Sequence, residues 1–254
     1  MKQRTRQEVH ISHSQVSEFL QCPRRYHLHR RLGLRPEFVP SGLLFGSAIH
    51  EALAFYHQMR LEGKKTTLEA LCDAFSSRYE AEQLPVKLRP GESKTRLISL
   101  AKRMLEAYLL HGEFSGEVIA IEEGFRLELS DRLPPVIGRI DLVEKKPCDG
   151  LVVTDFKTAR SRREPDPDQL LLYREAVRLL DYPHNGKVKA RYILLLKSER
   201  PDIVVYEPEP GPGAIDKLRS RYEQVWGAVQ SGCSFPHPGW WCRGCQWQRH
   251  CDQS

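Results

Sequence analysis

The chain has no apolar run long enough to cross a bilayer. Runs such as Tyr192 to Leu196 fall far short of the roughly 20 residues that a membrane helix needs. The opening MKQRTRQEVH is basic but leads into no apolar stretch, so no secretory signal and a cytoplasmic setting are expected. Internal repeats and low-complexity tracts are also missing, which sets aside solenoids and disordered tails. Only one C-x₂-C pair is present, whereas a zinc ribbon usually offers two. In a reducing compartment the seven cysteines are not expected to form a disulfide framework, and metal binding becomes the better default.

What is present suits one domain, or one domain with a helical elaboration. There are 254 residues, 40% of them apolar, enough to bury a core. The formal charge of +6 and a pI near 8.9 lean only slightly toward a polyanionic partner.

The first part reads as helical. Ser14 is positioned to cap a short helix through Leu20, and Pro23 suits the first turn of the next. Further helices are expected from about Phe45 to Leu61 and from Thr67 to about Tyr79. Leu97, Ala101, Met104, Leu105 and Tyr108 recur at helical spacing in a helix that Gly112 ends. The texture then changes to strands at 117–129, 136–144 and 151–157, with 145–150 as a turn. A helix at 167–180, strands at 189–196 and 203–206, and a helix running to about Val229 follow. The pattern predicts an α/β fold with a central mixed sheet flanked by helices. An N-terminal helical region (1–116), a core (117–231) and a C-terminal cysteine segment (232–254) form one integrated domain.

In strand 151–157, Leu151, Val153, Asp155 and Lys157 share one face. A core face ending in Asp and Lys needs something to meet. The preceding strand supplies it, because Ile137, Arg139, Asp141 and Val143 share a face, and a hairpin brings Asp141 close to level with Asp155. Two adjacent carboxylates repel unless a cation intervenes, and Mg²⁺ or Mn²⁺ resolves that conflict. Lys157 then stands ready to orient water and offset transition-state charge. Taken alone, D-x-K is short and common, and a surface ion pair explains it as readily.

The surroundings add to it. Gly138-Arg139-Ile140-Asp141, followed by Thr154-Asp155-Phe156-Lys157, resembles the core of the PD-(D/E)XK nucleases, in particular the RecB-like branch. Gly46-Ser47-Ala48-Ile49-His50 is similar to that branch's G-x-x-x-H motif, and Gln169-Leu170-Leu171-Leu172-Tyr173 to its Q-x-x-x-Y motif. Ile140 stands where the family name places proline, and Asp155 fills a position often held by Glu. The resemblance implies a restriction-endonuclease-like fold and phosphodiester hydrolysis of DNA. It implies catalytic roles for Asp141, Asp155, Lys157, His50, Gln169 and Tyr173, and Mg²⁺ or Mn²⁺ on His50, Asp141 and Asp155. An acidic ligand from the preceding strand is also implied, with Glu122 the candidate and Glu123 its rival.

The tail contains Cys242-Arg243-Gly244-Cys245 and then Cys251, spaced C-x₂-C-x₅-C. Three thiolates want a fourth ligand, with Cys233, His237, His250 and the distant Cys22 as candidates. Cys22-Pro23-Arg24-Arg25-Tyr26 and this tail resemble RecB-like nucleases of the AddAB and CRISPR-adaptation type. There one early and three late cysteines hold a [4Fe–4S] cluster. That resemblance implies Cys22, Cys242, Cys245 and Cys251 as its ligands, with Zn²⁺ through Cys233 as the alternative. Trp240, Trp241 and Trp247 are expected to pack around the site, Cys72 to be a small buried residue and Cys148 a turn residue.

Arg24, Arg25, Arg160, Arg162 and Arg163 are candidates for DNA phosphates. No base-reading element is apparent, so little sequence specificity is expected. The expected partner is DNA, single-stranded or at an end, with a protein partner in a repair or CRISPR adaptation complex and no membrane. A catalytically silent DNA-binding subunit with an iron–sulfur cluster is the alternative. A zinc-binding interaction module with a chance D-x-K is the third reading.

Overall fold

In a computed structural model the described residues are 9–111, 116–147, 150–180, 182 and 186–252. Cys148, Asp149 and Gly112, which the sequence assigns to turns and a helix end, lie outside them. Helix α1 (His13–Gln21) leads into the short α2 (Pro23–Tyr26) and a π-helical turn, His27–Arg31. Strand β1 (Val39–Pro40), α3 (Ser41–Leu61), α4 (Leu68–Glu80), β2 (Val86–Lys87) and α5 (Lys94–Leu110) follow. Next come β3 (Glu117–Leu127), β4 (Val136–Lys146), β5 (Gly150–Ala159), α6 (Asp168–Leu179), β6 (Val188–Leu196) and β7 (Ile203–Tyr206). The chain closes with α7 (Ala214–Gln230), a 3₁₀ turn at Trp240–Gly244 and α8 (Gln248–Asp252).

The main sheet has five strands in the order β3-β4-β5-β6-β7. β4 and β5 run antiparallel, β5 and β6 parallel through α6, and β6 and β7 antiparallel. This is the expected α/β architecture, a mixed sheet flanked by helices. β5 is central and nearly continuous in burial, as a strand covered on both faces should be. No helix among the described residues is long and apolar enough to cross a membrane.

Helix starts follow capping chemistry. Ser12, not Ser14, caps α1: its backbone is extended and its Oγ accepts from the Gln15 amide at 3.2 Å. Ser14 falls inside the first turn and contacts the Ser12 hydroxyl instead. Thr67 and Ser93 cap α4 and α5 in the same way, each bond contributing about 1 kcal/mol. α3 starts four residues before the expected Phe45, directly after Pro40, because packing overrides the low helix propensity of Gly42 and Gly46.

Packing divides the chain into two compact units. One comprises the described residues of Met1–Pro36, Gly124–Arg139 and Pro210–Ser254. Within it, Ile11 forms a parallel bridge to Val136, His13 meets the Tyr222 hydroxyl at 3.2 Å, and Arg219 donates to the Leu129 carbonyl. Gly138 is required here: a Cβ would fall 2.5 Å from the Phe125 ring.

The other unit is Glu37–Glu123 with Ile140–Glu209. Its core joins α3, α4 and α5 to the sheet through Phe45, Ile49, Leu53, Phe75, Met104, Leu105, Leu142, Phe156 and Ile193. Against this core lies a buried polar chain. Glu144, fully buried, accepts from Arg191 and from Arg60, each at 3.0 Å. His57 bonds the Tyr108 hydroxyl at 2.7 Å and stacks on Phe156 with centroids 5.7 Å apart. Burial pushes the His57 imidazolium down, so the ring stays neutral and tolerates its place against Arg60 and Arg191. Cys72, expected to be buried, is partly buried on α4 and packs against this core.

Candidate active site

β5 alternates strictly. Phe156 enters the core, while Asp155 and Lys157 point to the opposite face. The β4–β5 ladder pairs Leu142 with Thr154, which sets Asp141 one step further on, beside Asp155. Asp141 is fixed from two directions. Its Oδ2 accepts the Phe156 amide at 2.8 Å and lies 3.3 Å from His50 Nδ1.

His50 reaches the site because α3 crosses β5 closely. At Gly46 a Cβ would meet Thr158 Oγ1 at 3.4 Å, and His50 follows one turn later on the same helix face. The third member of the group comes from β3. Ligand atoms of His50, Glu122 and Asp141 all lie within 4.8 Å of one another. Glu122 has φ of 52°, the left-handed region that non-glycine residues rarely occupy. That local turn in a strand aims the Glu122 carboxylate at the group, whereas Glu123 engages the Tyr182 phenol.

Asp155 is adjacent but differently engaged. It is 2% exposed and pairs with Lys157 Nζ at 2.7 Å. Burial pushes its carboxyl up to about 6; Lys157 opposes the shift, and the Asp141 charge adds to it. Burial pulls the His50 imidazolium down, but the Asp141 hydrogen bond and the charges of Asp141 and Asp155 outweigh that, so its pKa is raised. The site therefore holds on to protons, as clustered carboxylates do.

α6 completes the arrangement. Lys157 Nζ donates to Gln169 Oε1 at 2.9 Å, and Gln169 Nε2 donates to the Tyr173 hydroxyl at 2.6 Å. Burial, with Asp155 and Asp141 nearby, pushes the Tyr173 phenol well up, so it stays protonated. Sequence reading missed Tyr192. It pairs with Asp155 in the β5–β6 register, its ring centroid lies 5.6 Å from Lys157 Nζ, and its hydroxyl donates to the Asp166 carbonyl. A tyrosine inside an apolar strand carries no signal that separates it from core.

The candidate DNA-binding arginines are dispersed. Arg160 pairs with Glu92 at 2.8 Å, Arg162 pairs with Asp202, and Arg163 is exposed. Arg24 and Arg25 sit elsewhere, in the wall of a cavity of about 230 Å³ that Cys22, Cys242, Cys245 and Cys251 also line. Cys233 and His250 are not among its lining residues; His237 is, with its Nδ1 2.9 Å from the Gln21 carbonyl. Burial raises the Cys245 thiol, with the Cys22 and Cys242 sulfurs adding to the shift and Arg25 opposing it. Of the three tryptophans expected around the cysteines, only Trp241 lines the cavity. Trp240 is 78% exposed, and Trp247 is buried, stacked on His29 and bonded to the Leu34 carbonyl. An indole that finds a stacking partner and a carbonyl acceptor has no need of the cavity wall.

Comparison with known proteins bears on fold and family. A provisionally assigned exonuclease from Eubacterium rectale superposes with a TM-score of 0.58 at 16% identity, over 95% of this chain and 87% of its own. At that identity the likeness shows a shared fold. The crystal structure of SSO0001 matches with a TM-score of 0.46 at 15% identity, over 98% of this chain and 88% of its own, too low to carry argument. No curated protein matches in sequence. The sequence model of the PD-(D/E)XK nuclease superfamily matches residues 10–252, nearly the whole chain, and the protein therefore belongs to that superfamily.

Proposed function

We propose that the protein is a Mg²⁺- or Mn²⁺-dependent deoxyribonuclease of the RecB-like branch, an exonuclease acting on single-stranded DNA or DNA ends. Its setting is DNA repair and recombination or CRISPR spacer acquisition, in company with a protein partner. The observation that carries the reading is the convergence of His50, Glu122 and Asp141 within 4.8 Å, beside the Asp155–Lys157 pair.

A mixed imidazole and carboxylate set suits Mn²⁺ or Mg²⁺, with His50, Glu122, Asp141 and Asp155 as ligands to one or two ions. Such an ion polarises a phosphodiester and makes bound water acidic. Asp141 is held by the Phe156 amide, so its position does not depend on the ion. Lys157, fixed between Asp155 and Gln169, presents one ammonium to the reacting phosphate and offsets charge that develops there. The Gln169–Tyr173 bond turns the amide so that its oxygen faces Lys157.

The four cysteines fit a structural [4Fe–4S] cluster on Cys22, Cys242, Cys245 and Cys251. All four line one cavity. Arg24, in the same wall, is available to a nearby strand, whereas Arg25 pairs with the buried Glu18 at 3.4 Å.

The test uses protein purified without oxygen and end-labelled single- and double-stranded DNA, with Mg²⁺, Mn²⁺ or EDTA. Metal-dependent cutting is expected, and a ladder that shortens from one end identifies an exonuclease. DNA that is bound but uncut with every metal overturns the enzyme reading in favour of a silent binding subunit. Iron analysis addresses the cysteines: Cys22→Ser should lose iron and Cys233→Ser should keep it. Stoichiometric zinc without iron would refute the cluster.

A further inference from the structure

The first turn of α3, the loop before α5, α5 itself and the residues just after β5 and β6 enclose a cavity of about 550 Å³. Part of its lining is apolar, with Phe45 at the base. Its walls carry five cations, Arg89, Arg96, Arg103, Arg160 and Lys197, from segments far apart in sequence.

Only two carboxylates share the lining, Glu92 and Glu199. Glu92 is already spent on structure. It accepts from the Ser41 hydroxyl at 2.6 Å, from the Arg89 amide at 3.0 Å and from Arg160 at 2.8 Å. Lys197 is the informative residue. Its ammonium sits 4.6 Å from the Phe45 ring centroid. Burial, with Arg89 and Arg160 nearby, pulls its pKa down to about 8, and the Glu92 charge only partly opposes the shift. Five cations facing two carboxylates, one of them already engaged, leave an excess of positive charge that suits an anion. Gly42 fits this view: without a Cβ, α3 admits the Arg89 guanidinium, whose nearest nitrogen would otherwise lie 3.3 Å from it.

Arg160 follows Lys157 by three residues, roughly 10 Å along an extended strand. Lys157 faces α6, whereas Arg160 lines the cavity on the α3 side, so a strand of a few nucleotides that reaches both passes over the C-terminal end of β5. We propose that this cavity is a phosphate subsite for the bound nucleic-acid strand, in which a terminal phosphomonoester or an internal phosphodiester docks against Lys197, Arg89 and Arg103. The proposal rests on the deoxyribonuclease reading, and it gives α5 a role in holding the strand away from the cut.

The experiment measures binding of a fluorescent oligodeoxythymidylate in Ca²⁺, so that the strand is held without being cut. The oligonucleotide carries a 5′-phosphate, a 3′-phosphate or neither. Lys197→Met keeps the side-chain stem over Phe45, and Arg103→Ala lies on an exposed helix face, so both variants should fold as wild type does. Each should weaken binding about tenfold, and each should lower the slope of log affinity against log salt by about one. If the pocket takes a terminal phosphate, removing that phosphate reproduces the loss and makes Lys197→Met silent. If it takes an internal phosphodiester, the loss is equal on all three oligonucleotides. Wild-type affinity and salt slope in both variants, from a protein that cuts DNA, overturn the subsite alone. A wild type that neither binds nor cuts DNA overturns the function on which it rests.

Discussion

His50 and Asp141 meet across the site, with Nδ1 of the one 3.3 Å from Oδ2 of the other. The contact keeps His50 protonated above the ordinary histidine value of 6.5 in the metal-free protein. Stability from that pair is present at low pH and lost as pH rises through the raised pKa. An ion on His50 must displace the same proton, so Mn²⁺ affinity should rise with pH through that window. His50→Ala should weaken Mn²⁺ binding by about tenfold or more and flatten the pH dependence. Titration of Mn²⁺ followed by electron paramagnetic resonance measures both; an unchanged pH profile would remove His50 from the ligand set.

Asp155 gives the opposite sign to most aspartates. Its carboxyl is raised to about 6 by burial, so in the metal-free protein its ionisation opposes folding. The stability it permits is complete below about 4 and is lost as pH rises through about 6. Asp155→Asn should therefore match wild type in acid and exceed it at neutral pH by about 2–3 kcal/mol. Thermal melting across pH in EDTA reads the difference, and added Mg²⁺ should narrow it. A variant less stable than wild type at neutral pH would show that the Lys157 pair outweighs the burial.

Glu122 separates stability from activity. A left-handed backbone costs a non-glycine residue about 1–3 kcal/mol, so Glu122→Gly should unfold at higher denaturant than Glu122→Ala. Both should lose metal binding alike. Equal midpoints would mean that the strand relaxes and no strain is stored there.

Behind the site, Glu144 holds Arg60 and Arg191 in full burial. Glu144→Ala leaves Arg191 uncompensated and should cost about 3–5 kcal/mol in urea unfolding. Pairing it with Arg191→Met should recover much of that loss. A cost below about 1 kcal/mol would show that water reaches the guanidinium.

The architecture was legible where one period dominated. The faces of β4 and β5 follow from alternation, which places Asp141 within about one residue of Asp155, but the register that sets them side by side is fixed only by the folded ladder. α5 announced itself through Leu97, Ala101, Met104, Leu105 and Tyr108. Glu122 and Glu123 could not be told apart, because the positive φ at Glu122 breaks the alternation on which such a choice depends. Ser12 and Ser14 are both plausible caps, and only the backbone at Ser12 decides between them. The cavity around Lys197 was invisible for a different reason. Its cations come from segments as far apart in sequence as Arg89 and Lys197, each of which looks like ordinary solvated charge until the fold brings them together.

The most direct measurement is the rate of DNA cutting in a single turnover, for wild type beside Asp141→Asn and Lys157→Met, with DNA binding checked in the same samples. Both variants should bind DNA within a few-fold of wild type and cut about 10²–10³ times more slowly in Mg²⁺ or Mn²⁺. Variants that cut as fast as wild type would place the chemistry elsewhere and contradict the assignment of the site.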